Sequence, residues 1–152
     1  MTKSAQKLRY AIDSDFDFLI EGLEAVRTIE RRPPKDIPAG DADREKYRKA
    51  INDKLIRVIE QDGEPVAFLF FRTDFRVMLI YEPFLWIDLI YVHQDHRGKG
   101  LGQMLYEDAT QIAKEKGLDR IVLDVFAVNE PSRRFHENMG FEPLFSICHK
   151  WI

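Results

Sequence analysis

Only one cysteine, Cys148, occurs among 152 residues, so an internal disulfide is excluded and a reducing, cytoplasmic setting is expected. No apolar run reaches the roughly 18 residues that a membrane span needs, so no membrane association is expected. The N-terminal stretch MTKSAQKLRY also lacks the apolar core of a secretory signal. Neither sign of charge dominates: 26 acids against 23 bases leave −3. That balance argues against a nucleic-acid protein, whose binding rests on phosphate neutralisation. Eight glycines and seven prolines are too few for a collagenous chain. What is present is ordinary globular material, 45% hydrophobic and 32% charged. A chain of this length buries about 70% of its unfolded surface and needs no metal or disulfide to hold a core. One domain over residues 1–152 is expected.

The apolar pattern divides the chain into alternating elements. Residues 8–12 read as a strand, stopped by the helix-capping run Asp13-Ser14-Asp15. Phe16, Leu19, Ile20, Leu23 and Val26 then lie on one face of an amphipathic helix. Pro33, Pro34, Pro38 and Gly40 make residues 31–43 a loop, either a connector or a functional border. Tyr47, Ala50 and Ile51 mark a second helix, with Asp41 or Asp43 as its cap. Residues 55–61 and 65–71 around Asp62-Gly63 read as a hairpin, because Asp-Gly supplies the positive φ angles of a tight turn. The first arm also continues the apolar face of the preceding helix, but the turn signal favours a strand.

Residues 84–92, FLWIDLIYV, read as a central strand buried on both faces. A third helix carries Leu101, Leu105, Ala109 and Ile112 on one face and ends at Gly117. Residues 121–128 read as another buried strand, 131–139 as a short helix and 141–152 as a final strand region. The fold class expected is α/β, a mixed sheet flanked by helices.

Between the central strand and the third helix stands Arg97-Gly98-Lys99-Gly100-Leu101-Gly102. The first turn of a helix offers unpaired N–H groups and the positive end of the dipole. Glycines there let a phosphate reach the backbone, and Arg97 and Lys99 add positive charge. The spacing G-x-G-x-G is neither the dinucleotide fingerprint nor a P-loop. A turn that merely relieves crowding is the alternative.

A second segment narrows the choice: Asn129, Ser132, Phe135, His136, Gly140 and Phe141 follow the next strand. With Arg97, Gly100 and Gly102 it resembles the GNAT superfamily of N-acetyltransferases. The family's acyl-CoA loop has the pattern Arg/Gln-x-x-Gly-x-Gly/Ala. Its later segment has Asn-x-x-Ala-x-x-Leu-Tyr-x-x-x-Gly-Phe. Ser132 stands in for the small residue, and His136 sits where tyrosine is usual.

The resemblance implies acetyl transfer from acetyl-CoA, as co-substrate, directly to a primary amine of a small molecule or peptide. It implies a cofactor wedge where two parallel strands splay. Backbone contacts from Ile90, Tyr91 and Val92 to the pantetheine arm follow, as does a pyrophosphate held by Arg97, Gly98, Lys99, Gly100, Leu101 and Gly102. A backbone N–H near Ile90 or Tyr91 becomes the oxyanion donor. Asn129 and Ser132 complete the cofactor contacts, although Asn129 is equally an ordinary helix cap. A homodimer through the final strands is frequent in the family.

Two side chains are candidates for proton transfer. Asp88 interrupts an apolar strand, where an unpaired buried carboxylate is costly; it is the first candidate for the base, with a structural carboxylate as the alternative. Glu82, beside Pro83, is a weaker choice. His136 replaces the tyrosine that serves the departing sulfur, and imidazole can donate there as imidazolium or neutral N–H. A histidine with no part in transfer is the competing view, and with it a CoA-binding module without turnover. His93, Asp95 and His96 do not complete a ligand set, so no metal is expected. Cys148 reads as packing rather than a nucleophile.

Overall fold

A computed structural model of the protein describes residues 5–30, 35–76 and 80–152. The charged pair Arg31 and Arg32, with Pro33 and Pro34 of the expected loop, lies outside the described residues.

Five strands form one sheet in the order β1-β2-β3-β4-β5: β1 is Gln6–Tyr10, β2 Ile56–Gln61, β3 Glu64–Arg72, β4 Leu85–Val92 and β5 Ile121–Val122. All neighbours are antiparallel except β4 and β5. The β2–β3 hairpin closes through Asp62 and Gly63, both at positive φ (+52° and +85°), as the Asp-Gly signal required.

Helices α1 (Phe16–Ile29) and α2 (Asp41–Asn52) cover one face, where Leu19, Ile20, Leu23, Tyr47 and Ile51 meet Phe68, Phe70, Leu89 and Tyr91. Gly22 permits that approach, because a Cβ on it would come within 2.4 Å of the Phe68 ring. Helix α3 (Leu101–Glu115) covers the opposite face with Leu101, Leu105, Tyr106, Ala109 and Ile112. Helix α4 (Glu130–Asn138) adds Phe135 and is followed by Met139 and Phe141 against the same core.

Capping follows local chemistry. Ahead of α1, Asp15 is buried and accepts from the two terminal guanidinium nitrogens of Arg9, at 2.7 and 3.0 Å, and from the Ile12 N–H at 2.8 Å. At α2 the cap position is Gly40 rather than an aspartate. Asp43, three residues on, accepts the Gly40 N–H at 3.0 Å and pairs with Arg27 of α1 through two bonds.

Two expected strands are corrected. Only residues 121 and 122 of the expected 121–128 strand pair with β4, and residues 123–128 leave the sheet. Residues 141–152 form no strand among the described residues, and Leu144, Phe145, Ile147 and Trp151 are exposed. A strand requires a partner ladder as well as an apolar pattern, and neither segment has one beyond Val122. The first strand also begins and ends two residues earlier than its pattern suggested.

Candidate active site

The departure of 123–128 opens a cleft. Leu85 faces Ile121 and Trp86 faces Val122; past those two pairs the parallel strands separate. The space between them is about 260 Å³, walled by residues 87–90 of β4, by 123–126, and by Leu23, Val26 and Arg27 of α1. Tyr106 of α3, Asn129, and Ser132 and His136 of α4 also line it.

The glycine loop lies at the other end of β4. Arg97 Nε donates to the Val92 carbonyl at 3.0 Å, tying the loop to the strand end. Gly98 and Gly100 adopt left-handed backbone, φ +75° and +79°, and open space lies where a Cβ would project. Gly100 is the cap residue of α3 and brings no side-chain oxygen to the first turn, so the leading N–H groups of α3 are not capped by it. Gly102 has a different task from its neighbours: a Cβ on it would lie 2.8 Å from the Phe135 ring, so it admits α4 against α3.

The other cofactor candidates are distributed along the same path. Ile90 lines the cleft, and the side chain of Tyr91 turns away into the α1–α2 core, leaving its backbone for contact. Val92 packs toward α3, and Lys99 is exposed. Asn129 caps α4 by accepting the Ser132 N–H at 3.4 Å, and both residues line the cleft.

Asp88 owes its position to a bulge. Phe70 pairs with Leu89 and Phe71 with Ile87, so Asp88 is the extra residue on β4. Bulges re-aim a side chain, and this one turns the carboxylate toward α2. There Lys46 Nζ meets Oδ2 at 2.7 Å, and an Arg72 guanidinium nitrogen stands 3.9 Å from Oδ1. The carboxylate is therefore paired, which resolves the cost of placing it in an apolar strand. Glu82 is exposed and does not reach the cleft.

His136 is 6% exposed, and both ring nitrogens are engaged. Nδ1–H donates to the Ser132 carbonyl at 2.6 Å, since a carbonyl only accepts. In the neutral ring Nε2 must then accept, and the Tyr106 hydroxyl donates to it at 2.6 Å. Burial pushes the imidazole below its ordinary pKa, against a smaller opposing pull from the Ser132 carbonyl. Burial alone raises the Tyr106 phenol. The neutral ring thus has no N–H left over for a sulfur, which the sequence did not reveal.

Sequence reasoning missed four groups at this site: Lys46, Arg72, Tyr106 and Asp124. Asp124, on the wall facing β4, has its carboxyl pKa raised mainly by desolvation and further by the charge of Asp88. Tyr47, beside Lys46 on α2, has a buried hydroxyl without a hydrogen-bond partner among the described residues. Burial chiefly, with the Asp88 charge second, raises its phenol. Tyr106 was detectable as a hydroxyl next to the apolar face of α3; the other three depend on contacts with Asp88 from different elements, Lys46 being 42 residues away in the chain. No group of three or more His, Cys, Asp or Glu side chains converges as a metal site among the described residues.

The model of the acetyltransferase (GNAT) family matches residues 23–141. Streptothricin acetyltransferase of Streptomyces lavendulae is 40% identical over 57 residues, 38% of this chain and 30% of that protein. The chain covers less than a third of the length of the first curated relatives it matches, 30%, 18% and 30%. Among solved structures, a tetramutant of the BH1408 protein from Bacillus halodurans superposes with a TM-score of 0.78 at 17% identity, covering 96% of this chain and 99% of that one. The aminoglycoside N-acetyltransferase AAC(6')-Iy in complex with CoA gives 0.75 at 15% identity, covering 99% and 97%. These likenesses establish a shared fold, and the family match spans the cleft, the glycine loop and α4 together. The chain belongs to the acetyltransferase (GNAT) family.

Proposed function

We propose that the protein transfers an acetyl group from acetyl-CoA directly to a primary amine of a small molecule or peptide. The observation that carries this reading is the opening of the sheet past Trp86 and Val122, continuous along β4 with the glycine loop at the start of α3. A ligand with a diphosphate at one end and amides along its length suits such a path. The leading N–H groups of α3 and the loop 97–102 hold the diphosphate. The open edge of β4 at Ile90, Tyr91 and Val92 serves the pantetheine amides, and an N–H there faces the charge that develops on the thioester oxygen.

Asp88 takes the proton that an acceptor ammonium must lose before it can attack. To do so the acceptor must displace Lys46 from the carboxylate. Asn129 and Ser132 order the α4 end of the cleft. His136 orders that end through its bond to Tyr106; with the Tyr106 O–H given to Nε2 and Nδ1–H to the Ser132 carbonyl, the departing sulfur takes its proton from solvent. Asp88 and Asp124 on the cleft walls favour a cationic amine. No helix among the described residues is long and apolar enough to cross a membrane. The lone Cys148 supports a cytoplasmic setting, and the exposed Leu144, Phe145, Ile147 and Trp151 support a homodimer through the final segment.

Calorimetric titration with acetyl-CoA and, separately, with NAD tests this reading, followed by thiol release with an amine library. Binding of acetyl-CoA alone and amine-dependent thiol release are expected. Binding without thiol release would leave a CoA-binding module of the same fold. No binding would end the transferase reading.

A further inference from the structure

The amine closest to the candidate base belongs to the protein itself. Lys46 Nζ lies 2.7 Å from Asp88 Oδ2 and stands over the Phe70 ring, 5.3 Å from its centroid. Lys46 is not the sole cation beside Asp88, because an Arg72 guanidinium nitrogen stands 3.9 Å from its other oxygen. The Lys46 side chain is 42% exposed and sits on a flexible four-carbon stem, so the amine can leave the carboxylate and return. An acceptor that used Asp88 as its base would place its nitrogen where this nitrogen is. Lys49, one turn further along α2, offers a natural contrast: it is 76% exposed, pairs with Asp53 and lies away from Asp88.

We propose that Lys46 is a self-modification site, acetylated by the acetyl-CoA bound in the cleft of the same chain. The inference rests on the acetyl-CoA reading given above. In the step, the Lys46 ammonium gives a proton to Asp88, and the free amine attacks the thioester carbonyl carbon. A C–N bond forms and the C–S bond breaks, with the electron pair leaving on sulfur. The thiolate takes up one proton and a second is released to solvent on deprotonation of the amide nitrogen, giving free CoA thiol and a neutral acetyl-lysine. The amide carries no charge, so Arg72 is left as the cation beside Asp88.

The test is incubation of the full chain with acetyl-CoA carrying a carbon-13 acetyl group, with no amine added, followed by peptide mapping. Lys46 is expected to take label at least roughly tenfold faster than Lys49, since a positioned base contributes about 10²–10⁴-fold. Free thiol should appear up to one per chain, and Lys46→Arg should abolish it while acetyl-CoA still binds by calorimetry. Equal labelling of Lys46 and Lys49 would overturn the proposal, as would unchanged thiol release from Lys46→Arg. In either case, intact acetyl-CoA binding would leave the transferase reading standing. Absence of acetyl-CoA binding would overturn both.

Discussion

Tyr106 of α3 and His136 of α4 are joined by a 2.6 Å hydrogen bond at the wall of the cleft, and the bond from His136 Nδ1 to the Ser132 carbonyl fixes its direction. The tautomer is set by the helix that carries the ring, and the phenol completes the ring's bonding. The ring on α4 is thus completed by a tyrosine of the neighbouring helix.

That arrangement gives stability a pH dependence with a definite sign. Burial lowers the His136 pKa in the folded state, below the value of about 6.5 expected when unfolded. Between the two values the unfolded chain binds the extra proton. The contribution from neutral His136 is complete above the unfolded pKa and is lost as pH falls through that value toward the folded one. Urea midpoints measured from about pH 5 to 8 should therefore drop on the acid side, and His136→Phe should flatten that drop. An unchanged slope in the variant would assign the titration to another group.

Asp88→Asn keeps the size of the side chain and removes its capacity to accept a proton. Turnover should fall by roughly 10²–10⁴-fold, with acetyl-CoA affinity preserved. Thiol release and calorimetry on the same preparation separate the two effects. Full turnover would return Asp88 to a purely structural pairing with Lys46 and Arg72.

Gly100→Glu puts an L side chain at φ +79° and a negative charge at the start of α3. Acetyl-CoA affinity should weaken by about tenfold or more, equivalent to about 1.4 kcal/mol. Gly100→Ala carries the backbone strain without the charge and should lose less. Equal affinity in folded Gly100→Glu and wild type would remove the loop from the diphosphate site.

Gly22→Ala tests the packing of α1 on the sheet. The added methyl would meet the Phe68 ring at 2.4 Å and the Tyr91 ring at 2.8 Å, both on strands that cannot retreat freely. Overpacking of this kind costs about 1–3 kcal/mol, read as a lower urea midpoint at constant slope. A midpoint equal to wild type would show that the two rings repack without strain.

The sequence carried the helices, the hairpin and the glycine turn ahead of α3 because each is a local pattern: apolar spacing, an Asp-Gly turn, glycines at a helix start. It misled at 121–128, where Leu123 and Val125 are apolar because they wall a cleft rather than because they fill a sheet. It misled again at 141–152, where apolar residues pair with no strand among the described residues. Asp88 was singled out as an anomaly in an apolar run, but its partners Lys46 and Arg72 come from α2 and β3, which only the folded sheet brings together. His136 was recognisable as a departure from the family pattern. That its ring would be saturated by Tyr106 and Ser132 was not, since a hydrogen-bonding direction has no sequence signature.

The contact between Gly102 and Phe135 has a mechanical consequence. Helix α3, which begins at the glycine loop, and the helix that carries Ser132 and His136 meet at a point where one of them has no side chain to compress. A side chain at position 102 would therefore have to displace the Phe135 ring or push the two helices apart.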